Sequence, residues 1–315
     1  MTKLNKLLIA LFALQLLLTA GIYFGEHSST AAPSQMALLS TDQGQIDSIT
    51  IDDGHGKQAQ LTKVNGQWQL PDYHQLPADQ ATVEKALKAL ADTRPGWPVA
   101  TTAGSRERFK VNDDDYQIRI TLAKGDEKLE PIYLGTSPGF RQIHVRKDGQ
   151  DAVYNVKLNS YDYSTSNKYW LDHGLLRPDG KVASVQGPDY SLNKQGDEWQ
   201  SSDNKGKVVK AEADKLLSAL TALNVSEATE DKPQQPAYPL TVKAAGKSYH
   251  YQFFANGKDY FVSRDDYAQA FKINKADYDK ITGLSATQLV KLDDKEAGNS
   301  MTAGHTPQGE EHNPS

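Results

Sequence analysis

The most suggestive grouping of reactive side chains is Asp52-Asp53-Gly54-His55-Gly56-Lys57. Two carboxylates and an imidazole on a loop bent by glycine could hold a divalent cation, yet the same spacing describes the tip of a plain β-hairpin, which is the simpler reading. The other histidines, at 27, 74, 144, 173, 250, 305 and 312, show no His-Glu-x-x-His pattern and no other close metal-ligand spacing. His144 and His250 fall in strand-like stretches, where half-buried structural histidines are expected. Asn112-Asp113-Asp114-Asp115 is acidic enough to suggest calcium. It lacks the alternating ligands, inner glycine and distal glutamate of an EF-hand loop, and reads as a solvated turn before Tyr116.

Hydroxyl and phosphate chemistry leave no better trace. There is no Gly-x-Ser-x-Gly elbow and no Walker-type loop. Gly135-Thr136-Ser137-Pro138-Gly139 lies between two strands, so it lacks the helix N-terminus that stabilises a phosphate. Tyr161, Tyr163, Tyr169 and Trp170 cluster as sugar- or peptide-binding aromatics do, although core filling accounts for them more simply. Tyr249, Tyr251 and Phe253 alternate as one buried strand face should. Forty acidic residues allow many spatial pairs that sequence does not rank. No catalytic, cofactor-binding or metal-ligating residue is assigned on this basis, no cofactor is expected, binding residues are left unknown, and the chain is expected not to be an enzyme.

Composition narrows the classes further. A net charge of -5, with Lys and Arg interspersed among Asp and Glu, argues against a nucleic-acid surface. The absence of cysteine removes disulfides, thiolate nucleophiles, Cys-ligated zinc, iron-sulfur clusters and the modified cysteine of a lipoprotein. With 38% hydrophobic and 24% charged residues, 315 residues suffice for one large domain or two smaller ones.

The first element is Leu7 to Phe24, LLIALFALQLLLTAGIYF, which carries no charge. As a helix it would span about 27 Å, close to the ~30 Å hydrocarbon core of a bilayer. Lys3 and Lys6 precede it and Glu26 follows, so the positive-inside rule places the N-terminus in the cytoplasm and the body outside. It is longer than the usual h-region of a signal peptide, which favours an uncleaved signal anchor over a cleaved one; either would export the rest. The expected product is a single-pass protein of the cytoplasmic (inner) membrane with its body in the periplasm.

The remaining chain divides into a linker over 26–45, a first unit over 46–177, a second over 178–292, and a polar tail over 293–315 expected to be disordered. Ile46 to Ile51 and Gln58 to Val64 form a hairpin, Asn65-Gly66 makes the next turn, and Val83, Leu87 and Leu90 mark a helix over 78–92 ended by Pro95 and Pro98. Strands follow at 116–122, 132–134, 142–146 and 152–156. The order then recurs. Gly196-Asp197-Glu198-Trp199 mirrors Asn65-Gly66-Gln67-Trp68, the helix 211–223 mirrors the first, Tyr238 to Val242 matches Tyr116 to Ile120, and Val262 to Tyr278 matches Val145 to Tyr161. The expected fold is α+β: an N-terminal transmembrane helix and two tandem repeats, each an antiparallel meander with one amphipathic helix.

Ile46-x-x-Ile49-x-Ile51, Gly66-x-Trp68, the helix to Thr93, Tyr133-Leu134-Gly135, Pro138-Gly139-Phe140, His144-Val145 and Val153-Tyr154-x-Val156 together resemble a bacterial domain-of-unknown-function family, number 4340. The resemblance covers most of 46–171, with a weaker echo to Gly283; His144 departs from it, standing where a tyrosine is expected. It implies a single-span extracytoplasmic protein, an accessory of an export complex whose partners are an ABC-2-type permease and a gliding-motility-like auxiliary subunit. It implies no catalytic residue. An envelope hydrolase, or a polysaccharide- or peptide-binding protein, is the alternative.

Overall fold

The computed structural model describes residues 11–20, 36–202, 206–231 and 237–292. It is a mixed α+β protein with antiparallel sheets and few helices. Contacts divide the chain between Leu171 and Asp172 into two compact units. Residues 11–20 are helical, with Leu11, Phe12, Leu14, Leu16, Leu17 and Leu18 exposed. No helix among the described residues is long and apolar enough to cross a membrane. The rest of the stretch from Leu7 to Phe24 and the tail over 293–315 lie outside the described residues.

The first unit runs through β1 (Ser48–Asp52), β2 (Gln58–Val64), β3 (Gln67–Leu70), β4 (Leu76–Pro77), α1 (Gln80–Asp92), β5 (Pro98–Ala100), α2 (Ala103–Arg108), β6 (Ile118–Lys124), β7 (Glu127–Lys128), β8 (Ile132–Leu134), β9 (Ile143–Lys147), β10 (Val153–Val156) and α3 (Asn167–Trp170). Its sheet has the order β4-β3-β2-β1-β6-β8-β9-β10-β5, with β7 on β6. Asn65 and Gly66 both adopt positive φ, the two-residue turn whose twist matches the hairpin of β2 and β3. Helix α1 starts where the Asp79 carboxylate accepts from the Thr82 N–H at 2.9 Å. It buries Val83, Ala86, Leu87 and Leu90, and Pro95 follows its end. Each of the larger three contributes about 1.5–3 kcal/mol by leaving water.

The linker expected over 26–45 does not extend that far. Leu38 and Leu39 are buried, and their N–H groups donate to Thr93 O (3.1 Å) and Leu90 O (3.3 Å) at the end of α1. The run Met36-Ala37-Leu38-Leu39, set in a polar stretch, is too short to signal this docking by period. Strands β8 and β9 are buried at nearly every position because both faces are covered. Ile132 lines a depression with Leu38 and Leu39 on one face. On the other, Tyr133 and Val153 form a small core with Val111 and Tyr116, against which Phe109 packs.

The second unit holds β11 (Val182–Gln186), β12 (Ser191–Gln195), β13 (Glu198–Ser201), β14 (Gly206–Val208), α4 (Lys210–Thr221), β15 (Val225–Thr229), β16 (Tyr238–Ala244), β17 (Lys247–Asn256), β18 (Asp259–Arg264), β19 (Ala270–Ile273), α5 (Lys275–Thr282), α6 (Ala286–Leu289) and β20 (Val290–Leu292). Its sheet order is β13-β12-β11-β16-β17-β18-β19-β15. Position for position this is the order β3-β2-β1-β6-β8-β9-β10-β5, with a helix carrying the chain to the far edge strand in each case. Val145 and Val262 hold equivalent register, opposite Tyr154 and Phe271. Tyr238, aligned above with Tyr116, instead occupies the register of Ile118: Ile118 pairs with Leu134 and Tyr238 with Phe253. The slip of two residues keeps the same face inward, so alternation alone does not reveal it.

The boundary also moves from the expected 177/178. Leu175 and Leu176 are buried in the second unit, where Leu176 O accepts from Tyr251 Oη at 2.7 Å and Arg177 Nε donates to Leu223 O at 3.0 Å.

Candidate functional site

The side chains whose types suggested chemistry are mostly engaged by the fold. Asp52 accepts from the Tyr116 hydroxyl and from Arg119 Nε (3.1 Å), and burial together with that bond pushes the Tyr116 phenol up to about 12. Asp53 caps the hairpin tip, accepting from the His55 and Lys57 N–H groups at 2.9 and 3.1 Å, while His55 itself is exposed. Among the described residues no three His, Asp or Glu side chains converge as metal ligands. In the acidic run, Asp115 pairs with Lys110 at 2.6 Å and Asp113 with Arg146. His144 is buried against Phe109 with its Nδ1 2.9 Å from Thr136 Oγ1, and burial lowers its pKa. His250 faces solvent rather than lying half-buried, since it alternates with the inward Tyr249 and Tyr251.

The aromatic cluster after the first meander splits. Tyr163 and Trp170 are core residues tied by hydrogen bonds to Ala86 O (3.0 Å) and Ser164 O (2.7 Å). Tyr161 is 83% exposed.

Two buried arginines carried no sequence signal. Arg146 is 0% exposed; Nε donates to Val111 O (2.6 Å), Nη1 to Lys147 O and Gln150 O (3.3 and 3.2 Å), and its guanidinium lies 4.4 Å from the Tyr133 ring centre. Arg264 is held by Asp266 (2.6 and 2.8 Å), Leu175 O and Arg177 O, among Tyr249, Tyr251 and Tyr267. Both act as internal anchors, because their donors are committed to backbone carbonyls and one carboxylate each.

Unengaged chemistry gathers elsewhere, where β9 begins and β10 ends at one end of the first sheet. Gly135 starts the β8–β9 connection because no Cβ fits there: it would run into Phe109 O. Ser137 Oγ, 2.8 Å from Gly139 O and 2.7 Å from Gln142 O, closes the turn. Arg141 at its tip has φ +53°. The turn and the segment after β10 enclose a groove of about 540 Å³ lined by Lys85, Phe140, Arg141, Lys157, Asn159 and Asp162. Phe140 is 87% exposed, and Arg141 stacks on its ring at 5.1 Å. Among the described residues the Arg141 and Lys157 side chains have no hydrogen-bond or ion-pair partner, whereas Lys85 lies 3.5 Å from Asp162. In the second unit the equivalent connection is a tight hairpin closed by the pair Asn256↔Asp259, so this feature belongs to one unit only.

The second unit instead has a cavity of about 650 Å³ at the β11–β12 turn, lined by Asp189, Ser191, Ser201, Ser202, Thr287 and Val290. Ser191 and Ser202 hydroxyls are 2.9 Å apart, Asn193 donates to Ser202 at 2.8 Å, and Asp189 accepts the Ala286 N–H at 3.0 Å.

A family model described as Domain of unknown function (DUF4340) matches residues 68–242, more than half of the chain. The chain belongs to this family. The DUF4340 match starts on β3 and ends on β16, so it takes in the groove and both amphipathic helices; it leaves out 46–67, where Ile46, Ile49, Ile51 and Gly66 were part of the expected resemblance, and ends at 242, inside the weaker echo expected as far as Gly283. No curated protein and no solved structure matches the chain.

Proposed function

We propose that the chain is a non-enzymatic accessory subunit of an ABC-type export complex, anchored in the cytoplasmic membrane by Leu7 to Phe24, with its N-terminus in the cytoplasm and two tandem repeats in the periplasm. Its partners in this reading are an ABC-2-type permease and a gliding-motility-like auxiliary subunit. The observation that carries the reading is the contrast between two sets of side chains. Asp52, Asp113, Arg146 and Arg264 are consumed within the fold, while Phe140, Tyr161, Arg141 and Lys157 are presented outward. Exposed aromatics beside cations equip a surface for contact. The uncharged stretch Leu7 to Phe24 and the matching strand order of the two units support the anchor and the repeats. Crosslinking in intact cells, followed by affinity purification from detergent extracts, tests the assignment. A permease subunit recovered in stoichiometric amount is expected, and recovery of a lone monomer at native expression would refute it.

A second reading, an envelope polysaccharide- or peptide-binding protein or hydrolase, is favoured by the hydroxyl-lined cavity at Ser191, Ser202 and Thr287. Saturable binding of cell-wall fragments, abolished by filling the cavity with Ser202→Trp, would select it over the first.

A further inference from the structure

We propose that the groove face of the first unit, carrying Phe140, Tyr161, Arg141 and Lys157, rests on the bilayer surface and contacts anionic phospholipid headgroups; this rests on the membrane-anchored reading above. Two aromatic side chains more than four-fifths exposed would normally be driven inward, and neither contributes to the core. Phe140 lines the groove and Tyr161 stands in the chain between its lining residues Asn159 and Asp162; Arg141 and Lys157, without hydrogen-bond or ion-pair partners among the described residues, provide charge there, while the one lining carboxylate, Asp162, is turned toward Lys85. Aromatic rings at headgroup depth, with Arg and Lys reaching phosphates around them, are the combination that an interfacial contact requires. Arg141 suits this role because its left-handed backbone and the Ser137 staple hold the turn outward, so little ordering remains to be lost on contact. Only residues 25–37 separate the apolar stretch from buried Leu38, and at about 3.5 Å per residue they reach at most ~45 Å. The first unit is therefore confined near the surface, and the amphipathic face decides which side turns down.

The chain has no cysteine, so a single one can be introduced and labelled. Tyr161→Cys and, as the control, Val64→Cys, at the exposed turn of β2 and β3, are made in the full chain, labelled with an environment-sensitive fluorophore and reconstituted into vesicles with or without phosphatidylglycerol. The expected result is a blue shift and quenching by headgroup-region nitroxide lipids at 161 but not at 64, in anionic vesicles only. Adding Arg141→Gln and Lys157→Gln should shift the balance from docked to lifted by about 25-fold, taking about fivefold per cation. Protein that floats with the vesicles but shows equal, water-like emission at both sites overturns the contact and leaves the anchor standing. Protein that does not float overturns both. Shielding of 161 in native membranes but not in pure lipid assigns the face to a protein partner and also overturns the lipid contact.

Discussion

Replacing Arg146 by Met separates what this buried side chain does for backbone from what it does for charge. Met keeps the length and the apolar stem, so little cavity opens. Three carbonyl oxygens lose the Arg146 donor: Val111 O, in a buried bond, and Lys147 O and Gln150 O, in part-buried ones, of which Lys147 O keeps the Gln150 N–H at 3.3 Å. A buried acceptor stripped of its partner costs about 1–3 kcal/mol, while Lys147 O keeps a donor and Gln150 O recovers water, so the loss is about 2 kcal/mol and falls mostly on Val111 O. The ion pair adds little, because the Asp113 side chain is 59% exposed and regains hydration once freed. Asp113→Asn should accordingly cost less than about 1 kcal/mol. Urea unfolding of the full chain, followed by tryptophan emission, reads this directly, because Trp68 and Trp170 are both buried in the first unit. If D113N destabilises as much as R146M, the charge pair holds the segment 109–117 in place and the carbonyl account is wrong.

Gly135→Ala should destabilise the first unit by about 3 kcal/mol, the upper part of the over-packing range, because its Cβ meets backbone at Phe109 O rather than a movable side chain; an unchanged urea midpoint would contradict the close approach. Burial holds His144 below its ordinary value near 6.5, so the unfolded chain binds a proton first. The neutral ring's contribution is thus complete above about pH 6.5 and falls as pH drops below it, until the lowered folded value is passed. His144→Gln should flatten that part of the stability profile, as measured by unfolding at a series of pH values. Phe140→Ser should leave stability within about 0.5 kcal/mol, since the ring is almost wholly exposed. A larger loss would mean that the ring packs on the fold.

Local signals gave a good account of the strands, hairpins and α1, because each rests on short-range rules: period two, period 3.6, Asn-Gly at a turn, proline after a helix. The α2 helix and β5 went unseen, since Ala103-Gly104-Ser105-Arg106 has no apolar period and Pro98-Val99-Ala100 is too short to alternate. Helix α5 is equally hidden, burying only Ile281. The buried arginines were illegible for a different reason. Arg146 and Arg264 look like surface residues in sequence, and the carbonyls that draw them inward, Val111 O and Leu175 O, belong to segments distant along the chain. The groove was half legible: Tyr161 stood out as part of an aromatic cluster, but nothing local distinguishes it from Tyr163, which is core. Phe140 follows a Pro-Gly turn, where exposure is expected, yet that Arg141 and Lys157 have no hydrogen-bond or ion-pair partner among the described residues emerges only once β9 and β10 are paired.

The central claim is that the body stands outside the cytoplasmic membrane on an N-terminal anchor. A single Val64→Cys in the otherwise cysteine-free chain, treated with a membrane-impermeant maleimide in intact spheroplasts, tests it most directly. Labelling equal to that of lysed cells is predicted, and labelling that appears only after lysis would contradict it.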